Sequence, residues 1–142
     1  MHIRLDNLSH DDSIRFPKRR VYVCYVDGKS QVADFIEEEL EPKAFRRLGV
    51  FIDRFAEQGW ISSTKHCKPL AGKSNLYELK TDGARIFFFQ DGDMVVLVQG
   101  CEKKTYKATA TVRAAIDRAD GIKQLYFTHK ERNQVEVSYG DR

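Results

Sequence analysis

A small group of cationic side chains surrounds one end of a predicted β-meander, and its members are residue types that can hold a phosphodiester. Lys80 and Arg85 flank an Asp-Gly turn, and the next strand runs into Lys103, Lys104 and Tyr106. A guanidinium can bind two phosphate oxygens at once, and fixed positive charge stabilises the pentacovalent phosphorus that forms during cleavage. RNA is therefore the first substrate class to consider.

Cleavage of RNA without a metal also needs a group that helps the 2′-hydroxyl attack and an acid that protonates the leaving 5′ oxygen. Arg85 can lower the pKa of Lys80, because two neighbouring cations disfavour each other's charged form. Tyr106 can donate a proton or stack on a base, and His66 is of a type that titrates near neutrality. The predicted catalytic group is Lys80, Arg85, Lys103, Lys104, Tyr106 and His66.

Each of these residues also has a structural interpretation. Arg85 can form a salt bridge with Glu78 or lie exposed at a strand edge, and Lys80 can be a solvated strand residue. The lysine pair can be an ordinary charge run before a helix, and since successive residues point in different directions we expect one of the two to face the site. Tyr106 can cover the sheet as a half-buried aromatic, and His66 can be an exposed loop residue.

Further basic residues lie along the same part of the chain. Residues 65–107 contain eight lysines and arginines against five acidic residues, a local charge of +3, and the whole chain also carries +3. This mild excess favours a polyanionic partner, but a charge of this size does not by itself indicate nucleic-acid binding. The predicted RNA-binding residues outside the catalytic group are Lys65, Lys68, Lys73 and Lys107.

The first half of the chain predicts one strand and a helical hairpin. Residues 20–26 are β-branched and aromatic and end at an Asp-Gly pair, which is typical of a strand. Ser30 is a predicted N-cap, and apolar residues then recur at helical spacing. Pro42 either breaks this helix or begins a second one, which continues until Gln58 and Gly59 end the periodic run.

The second half predicts a three-stranded meander and a third helix. After a loop at residues 60–75, strands occupy residues 76–99 and are joined at Asp82-Gly83 and Asp91-Gly92, both predicted as type I′ turns. Three aromatic residues in a row, Phe87–Phe89, are predicted to be core, although alternation must turn at least one of them away from the main core. A helix is expected to begin near residues 106–109 and to run through Ala119.

This order, β-α-α-β-β-β-α plus a tail, predicts an α+β domain with a small, mostly antiparallel sheet and helices on one face. Residues 1–18 are polar and are expected to form a flexible or loosely docked arm. The domain is expected to occupy residues 19–119. Residues 120–142 form a C-terminal extension in which 124–127 and 134–139 have strand character, so either a terminal hairpin or a mobile tail fits.

The three cysteines predict reduced thiols in a cytoplasmic protein, because Cys24, Cys67 and Cys101 are odd in number and far apart. No apolar run is long enough to cross a membrane, and the N-terminus lacks a signal-peptide core, so no membrane partner is expected. A zinc site built from His66, Cys67 and Cys101 would need a fourth ligand and lacks the usual spacing. No metal or other cofactor is therefore expected.

Three segments in order carry a resemblance to a known family. They are Lys68-Pro-Leu70 followed by Leu76-Tyr-Glu-Leu-Lys80, Gly83-Ala-Arg-Ile-Phe-Phe-Phe89, and Val95-Val-Leu-Val-Gln-Gly-Cys-Glu-Lys-Lys-Thr105. Behind a helical hairpin, this set resembles the RelE/ParE superfamily of toxins from type II toxin–antitoxin pairs, in its HigB-like and phage-derived branch, over residues 20–119. Two departures are that Cys101 stands where the family usually has an aromatic residue, and that residues 108–110 lack a common proline.

The resemblance implies three alternative functions. Relatives of the RelE and HigB type cleave mRNA, usually on the ribosome and without a metal, whereas ParE-type relatives poison DNA gyrase. Both kinds are neutralised by a small antitoxin encoded next door, so a cognate antitoxin is an implied partner. The mRNA endonuclease is the preferred hypothesis because of the cationic group, and a non-toxic relative that acts only as a binding protein is the third.

Overall fold

A mixed seven-stranded sheet with helices on both faces organises the chain in the computed structural model, which describes residues 1–102 and 108–138. The strand order is β3-β4-β5-β6-β2-β1-β7, and the pairs β2–β6 and β1–β7 are parallel whereas the other four pairs are antiparallel. The predicted α+β class and mostly antiparallel sheet are therefore confirmed. The elements are β1 (Ile3–Leu8), β2 (Arg20–Val26), α1 (Gln31–Glu38), α2 (Pro42–Gln58), β3 (Cys67–Pro69), β4 (Tyr77–Thr81), β5 (Ala84–Asp91), β6 (Met94–Glu102), α3 (Ala108–Glu131) and β7 (Val135–Ser138).

The N-terminal segment differs from the expected arm, because residues 3–8 form β1 inside the sheet. This strand pairs antiparallel with β2 and parallel with β7. Ile3 and Leu5 are fully buried, whereas Arg4 and Asp6 between them are half-buried. That alternation is the period-two pattern of a strand with one buried face, so the prediction of a loosely docked arm is wrong for these residues.

The predicted helical hairpin is present. The Ser30 side chain accepts a hydrogen bond from the Ala33 backbone N–H at 3.1 Å and so caps α1. Pro42 begins a second helix, where its missing N–H is tolerated in the first turn. Gly59 ends α2 with φ of 84°, a left-handed conformation that glycine adopts without a steric penalty.

The helices pack on both faces of the sheet, and not on one face as predicted. One core lies between the sheet and α1 and α2 and contains Phe88, whereas a second core lies under α3 and contains Phe87 and Phe89. All three aromatic residues are fully buried, because β5 is an interior strand covered on both sides. The continuous apolar run of β5 is the pattern expected of a strand buried on two faces.

The described part of the C-terminal extension, residues 120–138, forms neither a hairpin nor a separate tail. Helix α3 continues to Glu131, so residues 124–127 are helical, and β7 then adds a parallel strand beside β1. The Tyr126 hydroxyl donates to the Asp91 carboxylate at 2.6 Å, which ties the second half of α3 to the end of β5. Tertiary contact of this kind overrides the strand propensity of a short aromatic segment. Among the described helices, none has both the length and the hydropathy that a membrane span requires.

The two meander turns differ in type. Asp82 and Gly83 both have positive φ, 39° and 91°, as a type I′ turn requires. Asp91, however, pairs with Met94, so the central residues of the second turn are Gly92 and Asp93. Of these two only Gly92 has a positive φ, 60°, which is the pattern of a type II′ turn and corrects the prediction.

Gly100 in β6 packs closely against the aromatic ring of Phe35 in α1. A Cβ atom at Gly100 would lie 2.3 Å from Cδ2 of Phe35, well inside contact distance. We expect Gly100→Ala to lower the free energy of unfolding by about 1–3 kcal/mol, since the ring must move within a packed core. Gly49→Ala, on the exposed face of α2 with no atom within 4 Å of the new Cβ, is the matched control. It should stabilise the protein by up to about 1 kcal/mol through helix propensity. Urea unfolding midpoints check both changes, and equal midpoints would contradict the close packing.

Candidate functional site

The register of the meander places the two strongest catalytic candidates side by side. Lys80 in β4 lies directly opposite Arg85 in β5. Their neighbours Leu79 and Ile86 point into the core under α1 and α2, so Lys80 and Arg85 face the α3 side of the sheet. The sequence-based prediction that Lys80 lies across the hairpin from Arg85 is confirmed.

Neighbouring strands extend this arrangement into a row of polar side chains on the same face. Glu78 lies opposite Lys68 on one side, and Cys101 lies opposite Arg85 on the other. Residues directly opposite each other on paired strands share a face, so all of them project toward the α3 side. We call this row the Arg85 cluster; it comprises Lys68, Glu78, Lys80, Arg85, Gln99 and Cys101.

An ion pair dominates the interior of the Arg85 cluster. The Nε atom of Arg85 bonds to the carboxylate of Glu78, its diagonal neighbour across the β4–β5 pair. Arg85 is 7% and Glu78 is 8% exposed, so the pair is almost removed from water. Lys68 and Lys80 add two further positive charges to the cluster. With Arg85 and less Glu78, the cluster therefore has a formal charge of +2.

The thiol in the Arg85 cluster is not an activated nucleophile. Burial raises the pKa of the Cys101 thiol, and the Arg85 and Arg118 charges only partly oppose that effect. Nucleophilic cysteines instead have a lowered pKa, because the thiolate is the reactive form. Cys101 therefore acts as a small, neutral side chain opposite Arg85.

An unpaired acceptor lies at the inner end of the same row. The Oε1 atom of Gln99 is buried and has no hydrogen-bond partner in the described part of the chain, while its Nε2 atom donates to the Gly100 carbonyl at 3.3 Å. Gln99 sits opposite Phe87, where a β-bulge follows in the β5–β6 pair. A bulge turns a side chain from its regular direction, which is how a polar residue comes to lie in this apolar surface.

His66 lies on the other side of the sheet. Its ring packs against Phe51 of α2 with centroids 5.8 Å apart, and only its backbone carbonyl meets the Arg85 cluster, accepting from the Lys80 N–H at 2.8 Å. Cys67 also points into the α2 core, whereas Cys101 faces α3. The sheet therefore separates His66 from the cationic group, and His66, Cys67 and Cys101 cannot share a metal ion.

The family of phage-derived Gp49-like proteins (DUF891) matches residues 37–124, more than half of the chain. The protein belongs to this family. The Gp49-like family is a RelE/ParE-like, toxin-type family, which agrees with the resemblance carried by the meander and the Lys-Lys-Thr segment. The matched region includes α2, β3 to β6 and most of α3, and therefore the whole Arg85 cluster. No curated protein matches the chain.

The remaining predicted residues of this Gp49-like protein are distributed differently. Lys65 is exposed in the loop before β3. Lys73 lies 3.6 Å from Asp117 and 3.7 Å from Asp120, so acidic residues of α3 already neutralise it. Four of the predicted residues, Lys103, Lys104, Tyr106 and Lys107, lie outside the described residues.

Sequence reasoning considered Glu78 only as an alternative partner for Arg85, yet the structure makes it the central acid of the cluster. The signal was available, because a two-residue turn at Asp82-Gly83 fixes Lys80 opposite Arg85 and so places Glu78 on the diagonal. Gln99 carried no such signal, since the bulge that redirects it is not visible in the sequence. The catalytic and RNA-binding assignments themselves stay predictions.

The buried ion pair of this Gp49-like protein predicts strongly coupled substitutions. Arg85→Met should lower the free energy of unfolding by about 3–5 kcal/mol, because it leaves the Glu78 carboxylate buried without its partner. The double change Glu78→Leu with Arg85→Met should cost far less than the sum of the single changes, since no charge then remains buried. Chemical denaturation of the wild type, both single variants and the double variant measures the coupling, and additive losses would show that the pair does not interact.

Proposed function

We propose that this protein is the toxin of a type II toxin–antitoxin module, of the HigB-like branch, and that it cleaves mRNA on the ribosome in the cytoplasm without a metal ion. The observation that supports this function best is the Lys80–Arg85 pair, which faces the α3 side of the sheet beside the strand that leads into Lys103 and Lys104. A cognate antitoxin is the partner that this function requires.

In this proposal the lysines attract the RNA and Arg85 orients it. Lys68 is exposed and Lys80 is half-exposed, so both side chains lie where a phosphodiester can reach them. Arg85 uses its Nε atom for Glu78, and a guanidinium carries further N–H donors that can bind a phosphate oxygen. These positive charges stabilise the phosphorane, on which negative charge increases during the reaction.

Glu78 is the carboxylate of the Arg85 cluster and in this mechanism can accept the proton of the 2′-hydroxyl. Lys80 is the alternative base. The acid for the leaving 5′ oxygen is assigned to Tyr106 or to the Lys103–Lys104 pair, which follow directly after β6 in the sequence. His66 is a weaker candidate than it was from sequence, because its ring contacts α2.

The buried ion pair also favours a second candidate function. A guanidinium that is already neutralised by Glu78 can serve the fold alone, as it would in a ParE-like gyrase poison or in a non-toxic relative that acts only as a binding protein. In both of these cases the cationic residues are not needed for chemistry. Substitution of Lys80 distinguishes the alternatives more cleanly than substitution of Arg85, which also removes a buried charge.

Expression from a tightly repressed promoter tests the proposed activity. Wild-type protein should arrest growth and produce new mRNA 5′ ends within translated regions, whereas Lys80→Ala should lower the cleavage rate by about a hundredfold, because one charge that stabilises the transition state is lost. Arg85→Lys keeps the buried charge but removes bidentate geometry, and should also be impaired. Arg46→Ala, an exposed change on the α2 side of the sheet, is the control and should remain fully toxic.

Three results would contradict this proposal in different ways. Growth arrest with intact messages would indicate gyrase or another protein target. Absence of arrest by folded wild-type protein would indicate a binding protein. Full activity of Lys80→Ala would show that the Arg85 cluster is not the site even if cleavage occurs.

A further inference from the structure

A cleft of about 470 Å³ opens at the carboxyl end of β2, and its lining shares no residue with the Arg85 cluster. Its walls come from three elements: the end of β2, the first turn of α1 and the middle of α3. A volume in this range is typical of ligand pockets in proteins. The lining residues are Cys24, Val26, Lys29, Gln31, Asp34, Arg118, Gly121, Ile122 and Leu125.

The topology explains why a cleft forms at this place. Strands β2 and β6 are adjacent and parallel. The chain continues from β2 into α1 on one face of the sheet, whereas α3, the next described element after β6, lies on the other face. Where neighbouring parallel strands are followed by helices on opposite faces, a crevice is left at their carboxyl ends, and ligands bind in such crevices.

The cleft has an apolar floor and a charged rim. Val26, Ile122 and Leu125 are half-buried and line the interior, so they leave aliphatic surface facing the open volume. At the rim, Lys29 and Arg118 are exposed, and among the described lining residues they outnumber the one acid, Asp34. Among the described residues, the lining includes no aromatic side chain on which a base of single-stranded RNA could stack, and Arg118 supplies its one guanidinium plane.

We propose that this cleft binds an apolar side chain of an acidic peptide segment from a partner protein, with carboxylates of that segment paired to Lys29 and Arg118. An aliphatic floor suits a leucine-sized or phenylalanine-sized side chain, because removing apolar surface from water drives its insertion. The basic rim gives the peptide its preferred charge and raises its association rate.

The cleft is adjacent to the Arg85 cluster. Arg118 at its rim acts electrostatically on the Cys101 thiol, and Cys101 is the direct β-sheet partner of Arg85. A peptide seated between Lys29 and Arg118 would therefore neutralise positive charge next to the proposed phosphate-binding residues. The identification of this peptide as part of the antitoxin rests on the function proposed above, whereas the binding of an acidic, apolar segment does not.

A glycine in the cleft wall allows a direct test. A Cβ atom at Gly121 would meet no atom within 4 Å, and this position is exposed on α3, so large side chains can be introduced without disturbing the core. Gly121→Trp is designed to fill the cleft, and Gly121→Ala is the matched control that adds only a methyl group and favours the helix. Equal or higher unfolding midpoints for both variants establish that each is folded.

The binding probe is a phage-displayed library of random short peptides, selected on the purified full-length protein and then measured individually by fluorescence anisotropy. We expect selected peptides to combine leucine, isoleucine or phenylalanine with aspartate or glutamate. They should bind Gly121→Ala as well as wild type and bind Gly121→Trp at least about tenfold more weakly, a loss of about 1.4 kcal/mol. Lys29→Glu with Arg118→Glu should reduce binding of the same peptides to a similar extent.

Other outcomes would overturn the proposal. Failure to select any peptide that distinguishes Gly121→Trp from Gly121→Ala would show that the cleft does not bind peptides. If Gly121→Trp instead weakens binding of a fluorescent single-stranded RNA and leaves peptide binding unchanged, the cleft belongs to an RNA surface. Because the readout is binding, a protein that selects acidic peptides but cuts no mRNA would refute the nuclease function and leave this inference standing.

Discussion

Strand β5 is buried on both faces, and the placement of the helices and of the candidate site depends on that burial. Phe87, Phe88 and Phe89 have no exposed surface, and burial of each such side chain contributes about 1.5–3 kcal/mol relative to exposure. A strand with this composition needs an apolar layer on each side, so α1 and α2 cover one face and α3 covers the other. Lys80 and Arg85 of the same hairpin consequently lie near its end, two residues from the Asp82-Gly83 turn.

The position of the Arg85 cluster at the edge of the core explains why it contains a buried ion pair. A guanidinium that is only 7% exposed is tolerated because Glu78 lies on the diagonal and neutralises it. The pair holds Arg85 in a fixed orientation, but it also weakens the positive potential that Arg85 alone would produce. Attraction of a polyanion therefore falls mainly to the two more exposed lysines, Lys68 and Lys80, and the arginine contributes direction more than net charge.

Much of the helical hairpin and of the β4–β5 hairpin could be predicted from sequence, because the signals for both are local. The Ser30 N-cap of α1, the end of α2 at Gly59 and the Asp82-Gly83 turn each involve only a few neighbouring residues. All three are present in the structure. The opposite placement of Lys80 and Arg85 follows from that turn alone. Long-range pairing could not be predicted in the same way: β7 is short and pairs with β1, which comes from the opposite end of the chain and also pairs with β2.

The same distinction applies to the candidate site. Residue types and one tight turn were sufficient to bring two cations together, but whether His66 joins them depends on which face of the sheet its ring meets. Phe51 of α2 supplies that contact, and no local pattern around His66 encodes it. The cleft at the end of β2 likewise depends on long-range structure. It exists only because α1 and α3, which follow the parallel strands β2 and β6, lie on opposite faces of the sheet.

The cleft and the Arg85 cluster form two neighbouring regions, and both are positively charged. Lys29 and Arg118 border apolar surface, whereas Lys68 and Lys80 border the ion pair and its hydrogen-bonding groups. An acidic partner with an apolar anchor can use the first region fully, because burial of its anchor adds to charge pairing. A phosphodiester gains nothing from an aliphatic floor and is held better by the second region. Competition between the two ligands then arises through shared positive charge around Cys101 and needs no movement of the fold.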